Sequence, residues 1–217
     1  KIRFVGNIMI DTLEANRQKA AAIKKQDILV RNIIADNGNQ KNIDLSGLYA
    51  LVTLHRHSNV DNKGIIEPLL NFLIDEVAAK MPVLWPVHPR TIKQLTVFGL
   101  WGRAETTPNM VLLHPLGYHD MLRLNMDAKI MLTDSGGLQE ECCILGTPCL
   151  TLRWNTERPI TLRENGGASI LVGNNIDRIR QEFYSTLSSK VLPKRPELWD
   201  GKTAERIVKM FAEEFYE

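Results

Sequence analysis

The residues best suited to chemistry are two glycines, a hydroxyl and a carboxylate in the stretch LTDSGGLQEE, residues 132–141. Ser135, Gly136 and Gly137 stand where an apolar run ends and a helical pattern begins. Glycines let backbone N–H groups approach a ligand closely, and the start of a helix attracts anions. Glu141 follows about one helical turn later, where its carboxylate can accept paired hydrogen bonds from a sugar diol. A phosphate on the amides and a ribose on the acid together describe a nucleotide.

The same residues also have a structural interpretation. Ser135 is a preferred helix N-cap, although Leu138 stands where a capping box would have glutamate. At the other strand ends, His55 could be a satisfied core histidine and Arg56 a surface charge, while His88 before Pro89 could simply close a strand. For these loops the residues alone leave both interpretations open.

The elements that would position these residues follow from apolar periodicity. Short apolar runs bounded by Gly, Pro, Asn or Asp predict strands at 49–54, 83–87, 110–113, 129–133, 149–152 and 169–172. Helical patterns predict helices at 11–25, 64–80, 138–145, 176–187 and 203–216, with a polar linker at 36–47. Strand and helix in alternation indicate an α/β fold with a Rossmann-like parallel sheet and helices on both faces. Ligands bind beyond the carboxyl ends of such strands, where the polar tips lie.

Composition excludes several classes of function. A formal net charge of +2 lacks the basic character of a nucleic-acid binder, and the apolar runs are too short to span a bilayer. Cys142, Cys143 and Cys149 lack metal-ligand spacing and are expected to be small buried thiols. We therefore expect a cytoplasmic protein that needs no metal or cofactor.

Taken together, eight segments resemble the non-hydrolysing UDP-N-acetylglucosamine 2-epimerases in order and approximate spacing. They are VGNIMID (5–11), TLHRHSNVDN (53–62), PVHPR (86–90), PLGYHDM (115–121), LTDSGGLQEE (132–141), GTPCLTLR (146–153), TERPIT (156–161) and DGKTAERIV (200–208). No single segment would be specific, but the combination covers nearly the whole chain.

The resemblance implies a fold of two Rossmann-like domains with the active site between them, as in GT-B-type enzymes. This chain would be the second, UDP-binding domain over 1–217, with 1–45 connecting it to a missing first domain and 200–217 forming a terminal helix. Its beginning, KIRFVGN, fits a cut through a longer protein, or a tag or processing product. In the family the first domain supplies the acids that move protons at C2 of the sugar, so we expect the isolated chain to be inactive.

The family reaction inverts C2 by eliminating UDP and adding it back, and the resemblance assigns roles to matched positions. His55 would be catalytic near the departing diphosphate, and His88 would belong to a regulatory UDP-sugar site. The residues expected to bind UDP or the sugar are Arg56, Met121, Ser135, Gly136, Gly137, Glu141 and Arg158. The expected partner is a UDP-sugar substrate, with no nucleic acid or membrane and with a homodimer as one option.

Three positions depart from the family pattern. Ser58 replaces a glutamate in the loop of His55, Met121 replaces a common aromatic residue, and Ile160 replaces a glutamate after ERP. Two other classes of function therefore stay open. One is the C-terminal domain of a nucleotide-sugar glycosyltransferase, which transfer to an acceptor would reveal; the other is a UDP-binding module without turnover.

Overall fold

The computed structural model describes residues 2–34, 43–188 and 193–215. Most of the predicted linker at 36–47 and the end of the last predicted helix lie outside these residues. Within them the chain forms one sheet of six strands, at the predicted places. The strands are β1 (Ala50–Thr53), β2 (Val83–Pro86), β3 (Met110–Leu113), β4 (Ile130–Thr133), β5 (Cys149–Thr151) and β6 (Ser169–Leu171).

The sheet is parallel throughout and has the order β3-β2-β1-β4-β5-β6. The order reverses between β1 and β4, where Thr53 pairs with Thr133 at the carboxyl ends of the two strands. Loops that leave neighbouring strands at such a reversal turn to opposite faces of the sheet and open a crevice between them. The crevice therefore lies between the loop that begins at Leu54 and the loop that begins at Asp134.

Helices cover both faces of the sheet, which confirms the predicted fold class. The helices are α1 (Ile8–Ala21), α2 (Lys25–Asn32), α3 (His57–Val60), α4 (Lys63–Phe72), α5 (Pro89–Val97), α6 (Trp101–Thr106), α7 (Tyr118–Asp127), α8 (Gly136–Leu145), α9 (Ile176–Ser188) and α10 (Thr203–Phe215). One apolar cluster packs helices α4, α5, α6 and α9 on the face that contains Val83 and Trp85, and the other packs α1, α2, α7 and α8 on the face that contains Leu84. Strands buried on both faces explain why their sequences are continuously apolar.

Several predicted helices differ from the structure, as α1 ends at Ala21 rather than residue 25 and α8 begins at Gly136 rather than residue 138, and two of the differences have clear local causes. Helix α1 begins at Ile8 rather than residue 11, because the Asn7 side chain accepts a hydrogen bond from the Met9 N–H at 3.0 Å and caps it. The predicted helix at 64–80 is α4 followed by a π-helical turn, Leu73–Val77.

The three cysteines are free and buried, as expected from their spacing. Among the described residues, no helix combines the length and the apolar character that crossing a membrane requires.

Candidate functional site

A groove of about 340 Å³ lies at the carboxyl end of the sheet. It is bounded by the ends of β1 and β2, by the loop after β3 and by the start of α7 and α8. Five of the predicted site residues line it together: His55, His88, Met121, Ser135 and Glu141. A larger cavity of about 460 Å³ lies beside the edge strand β6, but none of the predicted site residues lines it. The chemistry of the side chains therefore favours the smaller groove.

The start of α8 has the features of an anion site. Ser135 is the N-cap residue by backbone conformation, yet its side chain makes no capping hydrogen bond. Its backbone N–H donates instead to the Thr133 hydroxyl at 3.0 Å. A Cβ atom at Gly137 would meet no atom within 4 Å, so the space above this turn is open to a ligand. The capping interpretation of Ser135 is therefore wrong for its hydroxyl.

Arg158 lies directly against this turn, although it is distant in sequence. A Cβ atom at Gly136 would come within 2.5 Å of a terminal guanidinium nitrogen of Arg158, so a larger residue here would push the guanidinium away from the turn. Arg158 Nε is 3.1 Å from Glu140 Oε1, and that same oxygen accepts a hydrogen bond from Asn7 at 3.0 Å. Glu157 lies 3.4 Å from another nitrogen of the guanidinium. A guanidinium held beside a helix N-terminus is well suited to bind phosphate.

Glu141 lies deeper in the groove and has an unusual environment. Burial, together with the charge of neighbouring Glu140, raises the pKa of Glu141 to about 7. Tyr118 is close to it: burial and the charge of Glu141 raise the pKa of Tyr118 to about 12. A partly buried acid with a perturbed pKa, facing a groove, is a frequent mark of a functional site.

Asp134 was missed by the sequence analysis, although it stands beside Ser135. Its side chain is fully buried at the end of β4. Its carboxylate oxygens accept hydrogen bonds from His55 Nδ1 at 2.9 Å, from the backbone N–H of Arg56 at 2.9 Å and from Asn59 at 3.1 Å. Burial alone would raise the pKa of Asp134, but the hydrogen bonds from His55 and Arg56 outweigh it and keep that pKa low.

The contact with Asp134 also changes the pKa of His55. The hydrogen bond to Asp134 raises the pKa of His55, against the opposing effects of burial and of the Arg56 charge. The His55 side chain retains 41% of its exposure on the groove side. In the sequence, the signal for Asp134 was an acidic residue directly after an apolar strand, but acidic residues at that place usually cap the next helix.

Two further predicted residues have clear structural partners. Arg56 donates from Nε to the backbone carbonyl of Asp134 at 2.9 Å, which ties it to the loop before α8, but it is not among the residues that line the groove. His88 is the N-cap of α5, since its Nδ1 accepts the Arg90 N–H at 3.1 Å. Its ring centroid is 5.6 Å from that of His55. No three His, Cys, Asp or Glu side chains of the described ranges are grouped as a metal site requires.

Comparison with known proteins shows the family to which the chain belongs. The family model described as UDP-N-acetylglucosamine 2-epimerase matches residues 1–212. The chain belongs to this family. A curated Methanocaldococcus jannaschii protein named UDP-N-acetylglucosamine 2-epimerase is 37% identical over 212 residues, which is 97% of this chain and 54% of that protein. The family assignment confirms the resemblance of the eight segments.

Solved structures of family members have the same fold. The Methanocaldococcus jannaschii UDP-GlcNAc 2-epimerase in complex with UDP-GlcNAc and UDP aligns with a TM-score of 0.80 and 36% identity, over 98% of this chain and 55% of that one. The Neisseria meningitidis UDP-GlcNAc 2-epimerase bound to UDP-GlcNAc aligns at 0.76 with 24% identity, over 98% and 56%, and supports the fold alone. The chain thus spans about half the length of the family members it matches.

Proposed function

We propose that the complete protein is a UDP-N-acetylglucosamine 2-epimerase and that this chain is its nucleotide-binding half. The observation that supports this most is one groove that combines an open helix N-terminus, a partly buried acid one turn later and a carboxylate-bound histidine. The groove suits both the diphosphate and the ribose of a nucleoside diphosphate. The relatives in the family are named as UDP-GlcNAc 2-epimerases.

Each side chain then has a role in binding. The backbone amides of Gly136 and Gly137, with the hydroxyl of Ser135, hold the diphosphate, and Arg158 neutralises its charge. Glu141 accepts the two ribose hydroxyls, which requires its ionised form. Met121 packs on the uracil ring, since a thioether packs well on a flat ring. Arg56 contacts the UDP-sugar through its guanidinium, which can also pack on a ring.

The proposed reaction interconverts UDP-N-acetylglucosamine and UDP-N-acetylmannosamine. A base takes the C2 proton, the C–H electrons form the C1–C2 double bond, and the C1–O bond breaks with its electrons leaving on UDP. Re-addition of UDP to the glucal returns the C1–O bond, and a proton returns to C2 on the other face. The base is expected in the half of the protein that this chain does not span, while His55 stabilises the departing diphosphate.

Calorimetric titration of this chain with UDP tests the binding role. We expect micromolar-range binding that is lost in Glu141→Ala and kept in Glu182→Ala, a control acid beside β6. An absence of heat with folded wild-type protein, or equal binding by both variants, would contradict the assigned site.

The full-length protein tests the reaction. Conversion of UDP-N-acetylglucosamine to its C2 epimer, with solvent deuterium incorporated at C2, is the expected result. Transfer of the sugar to an acceptor would identify a glycosyltransferase instead, and binding without turnover would identify a binding module.

A cytoplasmic location and a homodimer belong to the same proposal. The proposed substrate is a charged nucleotide sugar, which does not cross an apolar membrane unaided. Exposed apolar residues such as Phe4 and Val208 offer surface for further contacts. Fractionation of cells and light scattering of the full-length protein test the two points separately.

A further inference from the structure

We infer that Asp134 is a positioning residue for His55, holding the imidazole by Nδ1 so that Nε2 is the nitrogen available to the departing diphosphate. The inference rests on the proposed function, because it assigns to His55 a partner in that reaction. It concerns a residue to which the sequence analysis gave no role.

The geometry around Asp134 shows why a carboxylate is needed there. Its Oδ1 lies 2.9 Å from His55 Nδ1, while its Oδ2 accepts the Arg56 N–H at 2.9 Å and the Asn59 amide at 3.1 Å. His55 and Arg56 lie in the loop after β1 and Asn59 in the short helix α3 that follows it, whereas Asp134 is the first residue after β4. One buried carboxylate therefore ties the two loops on either side of the crevice, and with them His55 to Ser135.

This contact fixes which ring nitrogen of His55 carries a proton. An ionised carboxylate can only accept, so Nδ1 must donate and stays protonated in both charge states of the ring. The proton that exchanges is then the one on Nε2. Within the described part of the chain Nε2 makes no hydrogen bond, and the ring lines the groove. A ligand oxygen in the groove is thus its available partner.

The groups around His55 favour its protonated state on balance. Asp134 faces it from the loop after β4, and the ring of His88, whose Nδ1 accepts the Arg90 backbone N–H, faces it from the start of α5. Arg56 opposes protonation from the same loop, while Glu141 and Tyr118 line the groove further along. As the C1–O bond breaks, negative charge grows on the diphosphate and the Nε2–H donates to it. When UDP adds back, that hydrogen bond weakens again and the imidazolium keeps its proton.

Kinetics of the full-length protein test this with the substitution Asp134→Asn. An amide would place an N–H against one of the donors, so Nδ1 loses its fixed role and the imidazolium loses its counter-charge. We expect kcat to fall about a hundredfold, within the range of a positioned acid–base group, while KM changes less than about threefold. The decline of kcat at high pH should move to lower pH, because loss of the carboxylate lowers the pKa of His55.

Two comparisons separate positioning from general damage. In a His55→Asn background, Asp134→Asn should lower kcat by less than about threefold further, because the two residues act as one unit. Asp61→Asn removes a carboxylate that pairs with Arg90 near the same edge and should leave kcat and its pH profile unchanged. A full, additive loss in the double variant would overturn the inference.

Nitrogen-15 spectra of the histidines in the wild-type chain give a test that does not depend on any variant folding. We expect Nδ1 of His55 to stay protonated across the titration, with a midpoint above the ordinary value of about 6.5. A neutral form protonated on Nε2, or a midpoint at or below that value, would overturn the inference. Absence of epimerase activity in the full-length protein would instead reject the proposed function and leave this measurement standing.

Discussion

The raised pKa of Glu141 predicts that nucleoside binding weakens as pH falls through neutrality. The proposed role of this acid is to accept two hydrogen bonds from the ribose diol, and a protonated carboxyl is a poorer acceptor. Uridine is the suitable probe, because it has the diol but no phosphate that titrates or contacts His55. The perturbation is then pH itself, with Glu141→Gln as the variant that removes the titration.

The magnitude follows from the pKa of about 7. If only the ionised form binds the diol, affinity scales with the ionised fraction, which falls from about nine-tenths at about pH 8 to about one-tenth at about pH 6. Uridine affinity should therefore weaken about tenfold over that interval, or about 1.4 kcal/mol. Binding near neutrality should also release about half a proton, because the ligand draws Glu141 into its ionised form.

Calorimetry in buffers of different ionisation enthalpy measures both quantities. Glu141→Gln should bind uridine weakly and equally at each pH, and 2′-deoxyuridine should show a smaller pH effect with the wild type. The same tenfold pH effect in Glu141→Gln would refute the assignment. So would wild-type affinity that does not change with pH.

The same shift predicts a cost in stability. The pKa of Glu141 is about 7 when folded against an ordinary 4.5, so the unfolded chain loses this proton first as pH rises. Stability therefore falls between these two values and stays lower above them, by up to about 3 kcal/mol. Glu141→Gln should be more stable than wild type near about pH 8 and equal to it near about pH 4, as urea unfolding would show. A variant that is less stable at high pH would contradict this.

Substitutions at three further positions have distinct expected results. Gly137→Ala meets open space, so its free energy of unfolding should stay or rise by about 0.5–1 kcal/mol while UDP binding is lost, measured by urea unfolding and calorimetry; retained binding would contradict the phosphate site. Arg158→Ala should weaken UDP about tenfold or more and leave uridine unchanged, because only the phosphate contacts are removed; equal loss for both ligands would argue against that role. His88→Asn should keep the α5 cap within about 0.5 kcal/mol, whereas His88→Ala should lose about 1 kcal/mol; any regulation by UDP-sugar in the full-length protein should then disappear in both variants.

The strands were predictable because each apolar run is bounded by residues that break a ladder, and burial on both faces kept the runs continuous. Helix ends were less predictable, since they depend on single side chains. Asn7 moves the start of α1 by capping it, and the pattern at 64–80 cannot distinguish an α-helix from one that widens at Leu73.

Among the candidate site residues, the glycines and Glu141 were predicted from local sequence, whereas Asp134, whose partners are distant along the chain, was not. Two adjacent glycines, Gly136 and Gly137, predict a close approach of the backbone to a ligand by their residue type alone. The position of Glu141 on the same helix follows from its spacing along the sequence. Asp134 looks like an ordinary cap, because its partners His55 and Asn59 lie 79 and 75 residues away along the chain. Only the adjacency of β1 and β4 in the sheet brings them together.

Two carboxylates flank the start of α8, and their environments drive their pKa values in opposite directions. Asp134 is held ionised by hydrogen bonds that come from the opposite loop, while Glu141 approaches neutrality because burial leaves it poorly compensated. Such divergence separates two tasks within one groove. A permanently charged acid can hold a histidine in one tautomer without titrating. In the proposed function, hydrogen bonds from the ribose diol would stabilise the ionised form of Glu141, so part of the stability that its burial costs the free protein would return as binding free energy.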